Sequence, residues 1–271
     1  IQIGPRSLFL VIHPEHVHHV NVANRQNYEK LQSYDVVREL LLGDGLLTST
    51  GETWRIRRKL MAPFFTPRGV EQYYPLILAD GLEFIQRWQG KAGSGQPVEM
   101  IDEMMVITAS IILKTLFSTQ TGENLLEMKD AVETMIRFTS SQEMMPLKLP
   151  LWAPTRRNVA YRQARQRVNL FIDSVIAQRR AIPEAQWPED LLTKLMRARS
   201  EETGEALSDE LLRDESITMF FAGHETTART LSFMWYALSQ NPDVEKRLHQ
   251  EIDAMLGDRP GDRYITFRFK G

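Results

Sequence analysis

The sequence of 271 residues contains no cysteine, and this absence removes two kinds of chemistry. No disulfide bond can form within the chain, and no thiolate of the chain can bind a metal. The sequence also has no long apolar run. The nearest candidate, residues 104–113, is ten residues long and has charged neighbours, whereas a membrane-spanning helix needs about 20 apolar residues. The sequence therefore predicts no transmembrane segment.

Neither sign of charge is in excess. The chain has 33 Lys and Arg against 35 Asp and Glu, which gives a formal net charge of −2 at pH 7. Nucleic-acid-binding domains usually carry a basic face, so the charge does not favour nucleic acid as a partner. The chain begins at Ile1 rather than at methionine. We therefore expect that the true N-terminus, with any membrane anchor, lies outside this sequence.

One very long helical segment dominates what the sequence does contain. Ser208 is a favourable N-cap, and Asp209 and Glu210 place acids in the first turn, where they favour the helix dipole. No proline follows until Asn241-Pro242, so the helix would be about 50 Å long. Apolar residues occur on nearly every side of this helix, which predicts that it is buried. They are Leu211, Leu212, Ile217, Phe220, Phe221, Leu231, Phe233, Trp235 and Leu238.

Small and polar residues occupy the centre of this helix, at positions 222–227. Gly223 costs about 1 kcal/mol relative to alanine in a helix interior. Thr226 and Thr227 can turn their hydroxyl groups onto carbonyl oxygens one turn back, and a buried Glu225 needs a partner. One interpretation is that the helix makes room for a flat ligand and handles protons there. The other is a packing glycine beside polar residues that face solvent.

A second pattern lies in residues 51–65. Trp54 and Arg58 are four residues apart and share one face of a predicted helix. An indole N–H beside a guanidinium group can bind a carboxylate. The alternative is a basic helix with one packed tryptophan. A predicted turn, Gly43-Asp44-Gly45, precedes this helix.

Together the two patterns resemble the cytochrome P450 family, the haem-thiolate monooxygenases. The segment Ala222-Gly223-His224-Glu225-Thr226-Thr227 is similar to the oxygen-activation segment on the family's long central helix. Trp54-x-x-x-Arg58, followed by Pro63-x-Phe65, is similar to the motif that binds the haem propionates. The two motifs occur in the family's order, and on this basis the chain is identified as a member of the family.

The resemblance implies three roles, each carried by two residues. They are binding of the haem propionates (Trp54 and Arg58), bordering of the haem face (Ala222 and Gly223) and proton relay in catalysis (Glu225 and Thr226). The neighbouring Phe220 and Phe221 fit either a substrate pocket or core packing.

The resemblance covers residues 5–260. The family continues with a Glu-x-x-Arg helix and a loop whose cysteine thiolate binds the haem iron. Neither is present, so the chain supplies no axial cysteine ligand and no other metal ligand is predicted. The tail, residues 261–271, is unmatched. We therefore expect a single truncated cytochrome P450 domain over residues 1–271, from a gene fragment or a frameshift, that is inactive and poorly folded as written.

The predicted fold is mainly α, a cytochrome P450-like helical fold with a small β region near the N-terminus, truncated on its C-terminal side. Short strands are predicted at Ser7–Ile12 and at Pro97–Met100. The proline-broken segment 144–154 is either a lid that can touch a membrane or a connecting loop. Besides the central helix, the sequence predicts helices at residues 13–22, 101–117, 123–139, 156–180, 190–199 and 241–256.

For the whole enzyme, the resemblance implies insertion of one oxygen atom from O2 into a lipophilic organic substrate. Electrons would come from a redox partner, either a ferredoxin or a flavoprotein reductase. The motifs suggest a bacterial, cytoplasmic protein, and peripheral membrane contact is left open as an alternative. The alternative function is non-enzymatic: a truncated helical protein, or a pseudoenzyme binding module that does not ligate haem iron.

Two histidine patterns raise the question of a separate metal site. His16 and His19 share a helix face, where a metal site and a solvated surface are the competing interpretations. His224-Glu225 begins like the zinc motif His-Glu-x-x-His, but Ala228 stands where the second histidine would be. The sequence therefore excludes that zinc motif.

Overall fold

The structure is a computed structural model, and α-helices account for most of it. It describes residues 2–3, 6–7, 9–31, 33–92, 94–95, 97–119, 124–144, 149–199 and 204–257. The helices, in chain order, are α1 (Pro14–His18), α2 (Ser33–Val37), α3 (Gly51–Met61), α4 (Pro67–Glu71), α5 (Tyr74–Ala92), α6 (Met100–Phe117), α7 (Asn124–Met144), α8 (Arg156–Arg180), α9 (Leu191–Arg197), α10 (Asp209–Gln240) and α11 (Pro242–Leu256). The prediction of a mainly α fold is confirmed.

Short turns of other helix types join some of these elements. Two are π-helical, at His19–Ala23 and Arg38–Leu42. Three are 3₁₀ turns, and they lie at Arg25–Asn27, Ala62–Phe65 and Glu184–Gln186. In the described part of the chain, no helix is both long enough and apolar enough to cross a membrane.

The β structure near the N-terminus is a two-stranded antiparallel ribbon of β1 (Gln2–Ile3) and β2 (Arg6–Ser7). The predicted strand at Ser7–Ile12 is wrong at residues 9–12, which form no strand and where Phe9 is 88% exposed. Residue 8 lies outside the described residues. The predicted strand at Pro97–Met100 is also wrong, since Met100 is the first residue of α6. An apolar run becomes a strand only where another strand pairs with it and its face is buried.

The chain divides into two compact units, each of which is described by itself. The first unit contains residues 1–72 and 130–219, and the second contains residues 73–129 and 220–271. Helices α7 and α10 each contribute residues to both units.

The first unit is organised on α8. Thr155 caps this helix by accepting a hydrogen bond from the Asn158 N–H at 3.1 Å. The buried positions of α8 recur every three or four residues, as expected for a helix with one face in the core. They are Asn158, Tyr161, Ala164, Val168, Ile172, Val175, Ile176 and Arg179.

Two polar contacts connect α8 to the rest of the first unit. The hydroxyl group of Tyr161 donates to the carbonyl oxygen of Leu40 at 2.7 Å. The buried guanidinium group of Arg179 forms a two-pronged ion pair with Asp190, with N–O distances of 2.7 and 2.5 Å. Asp190 is also the N-cap of α9 and accepts from the Thr193 N–H at 2.8 Å. The start of α9 is thereby fixed to the end of α8.

The second unit has an apolar core between α5, α6 and α10. Phe84, Met104, Met105 and Ala228 are buried together, and Trp88 packs against them. A side-chain hydrogen bond joins α5 to α6, because the Glu103 carboxylate on α6 accepts from the indole N–H of Trp88 on α5 at 2.9 Å. This unit positions the central part of α10.

Helix α10 confirms the predicted central helix, with 32 residues and a cap at Ser208, whose hydroxyl oxygen accepts from the Leu211 N–H at 3.2 Å. The prediction that it is buried throughout is wrong for its C-terminal half. Phe233 is 71% exposed and Tyr236 is 65% exposed. Hydrophobic periodicity shows which positions are apolar, but it does not show whether another element covers them.

Most other predicted helices are confirmed, with ends that differ by a few residues. The predictions at 101–117 and 123–139 correspond to α6 and α7, and the prediction at 156–180 corresponds to α8. The predicted loop at 144–154 is only partly described: residues 149–154 are irregular, and residues 145–148 lie outside the described residues, as does the tail at 261–271.

Candidate functional site

The predicted carboxylate clamp lies on α3, in the first unit. Trp54 is half-buried and Arg58 is exposed, and the two are one helical turn apart. Across the described residues, neither side chain has a hydrogen-bond or ion-pair partner. The indole N–H and the guanidinium group are therefore both open to a ligand, and together they can bind a carboxylate.

Arg58 differs in this respect from the arginines beside it. Arg55 forms an ion pair with Glu52 and donates to its carboxylate at 2.8 Å. Arg57 forms an ion pair with Asp44 at 3.0 Å. The cation of Arg58 is not neutralised by any such contact in the described part of the chain, so it is the arginine of α3 that is best placed to meet an anion from outside.

The motif at 222–227 lies on α10, in the second unit. Ala222 and Thr226 are exposed, one turn apart, on the same face. The Thr226 hydroxyl donates to the Ala222 carbonyl oxygen at 2.5 Å, which is the back-bonding expected from the sequence. Glu225 is half-buried and accepts from Arg229 Nη2 at 2.7 Å. The partner that Glu225 needs is thus one turn along its own helix.

Gly223 faces a neighbouring helix. A Cβ atom at this position would lie 2.5 Å from Cδ1 of Ile112, on α6 of the same unit. Beside it, His224 is 1% exposed, its ring is stacked on Phe220, and its carbonyl oxygen accepts from the Thr108 hydroxyl at 3.1 Å. The missing side chain of Gly223 lets α6 approach α10 closely. The packing interpretation therefore accounts for Gly223, and its role at a haem face stays a prediction.

The structure thus arranges the six predicted residues in two sets. Trp54 and Arg58 share one face of α3, and Ala222 and Thr226 share one exposed face of α10. Glu225 lies beside that face, and Gly223 is turned against α6. Phe220 and Phe221 are both buried and pack edge to face, which supports their interpretation as core residues.

The structure also shows a pair of acids at 214–215 that no motif in the sequence indicated, in the part of α10 that belongs to the first unit. Glu215 is 1% exposed, and its Oε2 atom accepts from the Leu46 N–H at 3.0 Å. Asp214 Oδ2 accepts from the Asp44 N–H at 2.7 Å. A signal was present in the sequence, because Glu215 follows Leu212 by three residues and so shares its buried face.

Burial dominates the electrostatics of these acids. It raises the pKa of Glu215 to about 7, although the Leu46 N–H and the Arg57 guanidinium group act in the opposite direction. Burial also raises the pKa of Asp214, against the hydrogen bond from the Asp44 N–H. A carboxyl group that changes charge near neutral pH is therefore held inside the first unit.

The histidines near the N-terminus do not form a cluster with acidic side chains in the described residues. No group of three or more His, Asp or Glu side chains there could hold a metal ion. His16 and His19 are exposed, and the His19 ring lies 3.3 Å from the side-chain nitrogen of Asn24. The exposure of both rings is what a solvated helix face predicts, and the choice between the two interpretations stays a prediction.

Comparison with known protein families gives one match that covers nearly the whole chain. A family model described as "Cytochrome P450" matches residues 1–266. A relative from Streptomyces melanosporofaciens, "Cyclooctat-9-en-7-ol 5-monooxygenase", is 33% identical over 263 residues, which are 96% of this chain and 55% of the relative. "Pentalenene oxygenase" of Streptomyces avermitilis is 30% identical over 261 residues, with 96% of this chain and 56% of the relative covered.

Solved structures agree with the sequence relatives. The structure titled "Crystal structure of cytochrome P450DA heme domain" superposes with a TM-score of 0.83 at 27% sequence identity, over 98% of this chain and 57% of that chain. The chain spans about half the length of the curated relatives that it matches.

Proposed function

Because this chain belongs to the cytochrome P450 family, we propose that it forms the propionate-binding and oxygen-activating part of a haem monooxygenase. The observation that carries the proposal is the clamp on α3, where Trp54 and Arg58 lie one turn apart and have no partner in the described residues. Such a pair fits a propionate, which is a carboxylate that can accept from both groups.

Each set of side chains, taken by itself, offers one feature that haem binding needs, and neither set supplies the axial ligand. Trp54 and Arg58 offer donors to the propionates, and the exposed face of Ala222 is small enough for a flat ring to approach. The sequence has no cysteine, so the family's thiolate does not come from these residues. Haem, when bound, would supply the iron centre for oxygen chemistry.

In this proposal, Thr226 and Glu225 hold and move protons. The Thr226 hydroxyl keeps its proton and donates a hydrogen bond to the Ala222 carbonyl oxygen, 2.5 Å away. Rotation about its Cα–Cβ bond would present the hydroxyl group to the exposed face of α10. Glu225 is held by Arg229 through contacts of 2.7 and 2.9 Å. Release of this ion pair would free the Glu225 carboxylate to take up a proton from solvent and pass it to the Thr226 hydroxyl oxygen as that hydroxyl gives up its own proton.

The proposal for the whole enzyme is insertion of one oxygen atom from O2 into a lipophilic organic substrate, with electrons from a ferredoxin or a flavoprotein reductase. Family membership and the names of the two Streptomyces oxygenases support it. The single-domain organisation over residues 1–271 and a cytoplasmic location are further parts of the same proposal. The comparisons give no support to the alternative of a non-enzymatic helical module.

A porphyrin titration tests the clamp. Purified chain is titrated with ferric haem and, separately, with ferric haem dimethyl ester, whose propionates cannot carry charge. We expect haem to bind roughly 10-fold more tightly than the ester, because a charge-assisted hydrogen bond contributes about 1.5–3 kcal/mol.

Arg58→Ala should remove this preference. Arg55→Ala is the matched control, because it removes the same charge from the same helix and should leave the preference unchanged. Equal affinities of wild-type protein for haem and for its ester would contradict the proposed clamp.

A further inference from the structure

The turn at residues 43–48 lies directly against α10, within the first unit. Gly43 has φ +62°, and a Cβ atom there would overlap the carboxyl group of Asp214. A Cβ atom on Gly45 would overlap the Thr218 hydroxyl and would lie 3.1 Å from the Asp214 carbonyl oxygen. Only glycine at both positions lets the turn approach the helix this closely.

Two consecutive acids of α10 hold this turn by its backbone. The Asp44 N–H donates to Asp214 at 2.7 Å, and the Leu46 N–H donates to Glu215 at 3.0 Å. Glu215 is 1% exposed, and its second oxygen, Oε1, has no hydrogen-bond partner in the described part of the chain. An apolar side chain at 215 would avoid the desolvation cost of a buried carboxyl group. The acid adds a directed contact that fixes one position of the turn.

The opposite side of the turn is bound to the clamp helix. Arg57, the residue before Arg58 on α3, donates to the Asp44 carbonyl oxygen and forms an ion pair with its carboxylate at 3.0 Å. The Arg38 guanidinium group donates to the Thr48 carbonyl oxygen at 2.5 Å. The Lys30 ammonium group donates to the Ser49 carbonyl oxygen at 2.6 Å, just before α3 begins. A continuous series of contacts therefore runs from α10 through the turn to α3.

We propose that Asp214 and Glu215 are positioning residues that set the orientation of the Trp54–Arg58 clamp through the turn at 43–48. The inference rests on the proposed function of that clamp. Neither acid touches the ligand in this arrangement. They act through Asp44 and Arg57, and their removal would let α3 shift against α10 without any change in the clamp residues themselves.

The electrostatic surroundings agree with this assignment. The groups that face Glu215 are the Leu46 N–H and Arg57, which favour its charged form, and Asp214 and Asp44, which disfavour it. Arg57 thus interacts favourably with Glu215 as well as with Asp44, and it links both acidic sites to the helix that carries the clamp.

The experiment measures the turn and the clamp separately. Hydrogen–deuterium exchange of the amides of Asp44 and Leu46 reports on the turn. The ratio of the affinities for ferric haem and ferric haem dimethyl ester reports on the clamp. The variants are Asp214→Ala with Glu215→Ala, and the milder Asp214→Asn with Glu215→Gln, which keeps oxygen acceptors in place. Glu210→Ala is the matched control, because it removes an exposed acid from the same helix.

For the double alanine variant, we expect exchange of both amides to accelerate by roughly 10-fold or more, since two hydrogen bonds to acids are lost. The preference for haem over its ester should disappear, although Trp54 and Arg58 are intact. The Asn/Gln variant should show an intermediate effect on both measurements, and it serves if the alanine variant does not fold. Glu210→Ala should match wild-type protein.

Faster exchange with an unchanged preference for haem would overturn the positioning role, because loosening the turn would then have no effect on the clamp. Unchanged exchange would overturn it as well, because the acids would not hold the turn. Failure of the proposed clamp has a different signature: wild-type protein and Arg58→Ala would then bind haem and the ester alike. That result would overturn this inference together with the function on which it rests.

Discussion

Glu215→Gln should reduce the loss of stability that the protein undergoes as the pH rises from acid to alkaline. Glu215 is 1% exposed, and burial raises its pKa from 4.5 to about 7 in the folded state. Because the folded pKa lies above the unfolded one, the stability from the protonated group is fully present below about pH 4.5 and is lost as the pH rises through about 7. Glutamine keeps the shape of the side chain and cannot ionise.

The size of the effect follows from the two pKa values. Each pKa unit corresponds to about 1.4 kcal/mol. Between about pH 5 and about pH 8, ionisation of Glu215 should lower the free energy of unfolding by about 2.5 kcal/mol. The pKa of about 7 already includes the effects of its neighbours: Arg57 and the Leu46 N–H lower it, and the charges of Asp214 and Asp44 raise it.

The assay is urea denaturation followed by circular dichroism at both pH values, with wild-type protein, Glu215→Gln and the exposed control Glu210→Gln. The difference between wild-type protein and Glu215→Gln should grow by about 2.5 kcal/mol from acid to alkaline pH, in favour of the variant. Glu210→Gln should track wild-type protein. Parallel curves for wild-type protein and Glu215→Gln would show that the buried carboxyl group does not titrate in this range, and the electrostatic reasoning would fail.

Three further predictions concern packing and burial, and each is tested by urea denaturation. Arg179→Ala should cost about 3–5 kcal/mol, because it leaves the buried charge of Asp190 without its partner; a loss below about 1 kcal/mol would mean that the pair is solvated. Gly43→Ala should cost about 3 kcal/mol from backbone strain and overlap, whereas Gly51→Ala, also at positive φ but in open space, should cost about 1 kcal/mol; equal losses would contradict the close approach of the turn to α10. Gly223→Leu should cost about 2 kcal/mol by overpacking against α6, and shortening the facing isoleucine to alanine should recover part of it; no recovery would place the clash elsewhere.

Local sequence rules predicted the helices well because their causes are local. The cap at Ser208 and the proline at 242 set the ends of α10, and both are visible in the sequence. The same holds for α8, whose predicted range agrees with the observed Arg156–Arg180. The apolar segment at residues 9–12 did not form a strand, because pairing depends on a partner that the segment itself does not specify.

The sequence predicted where the candidate residues lie on their helices, but it did not predict what surrounds them. Spacing alone placed Trp54 and Arg58 on one face, and the structure agrees. Spacing could not show that Gly223 faces Ile112, more than 100 positions away in the sequence, or that Glu215 binds the backbone of Leu46. Both contacts depend on long-range packing, and a local sequence pattern contains no information about long-range packing.

The exposed aromatic residues in the C-terminal half of α10 have a consequence for the solubility of the protein. Phe233, Trp235 and Tyr236 are 71%, 40% and 65% exposed, within a single turn of helix. Each square ångström of apolar surface removed from water contributes about 25 cal/mol, so two copies gain free energy by stacking these faces. A net charge of −2 provides little repulsion to oppose that contact. Polar substitutions at these exposed aromatic positions should therefore raise the solubility limit.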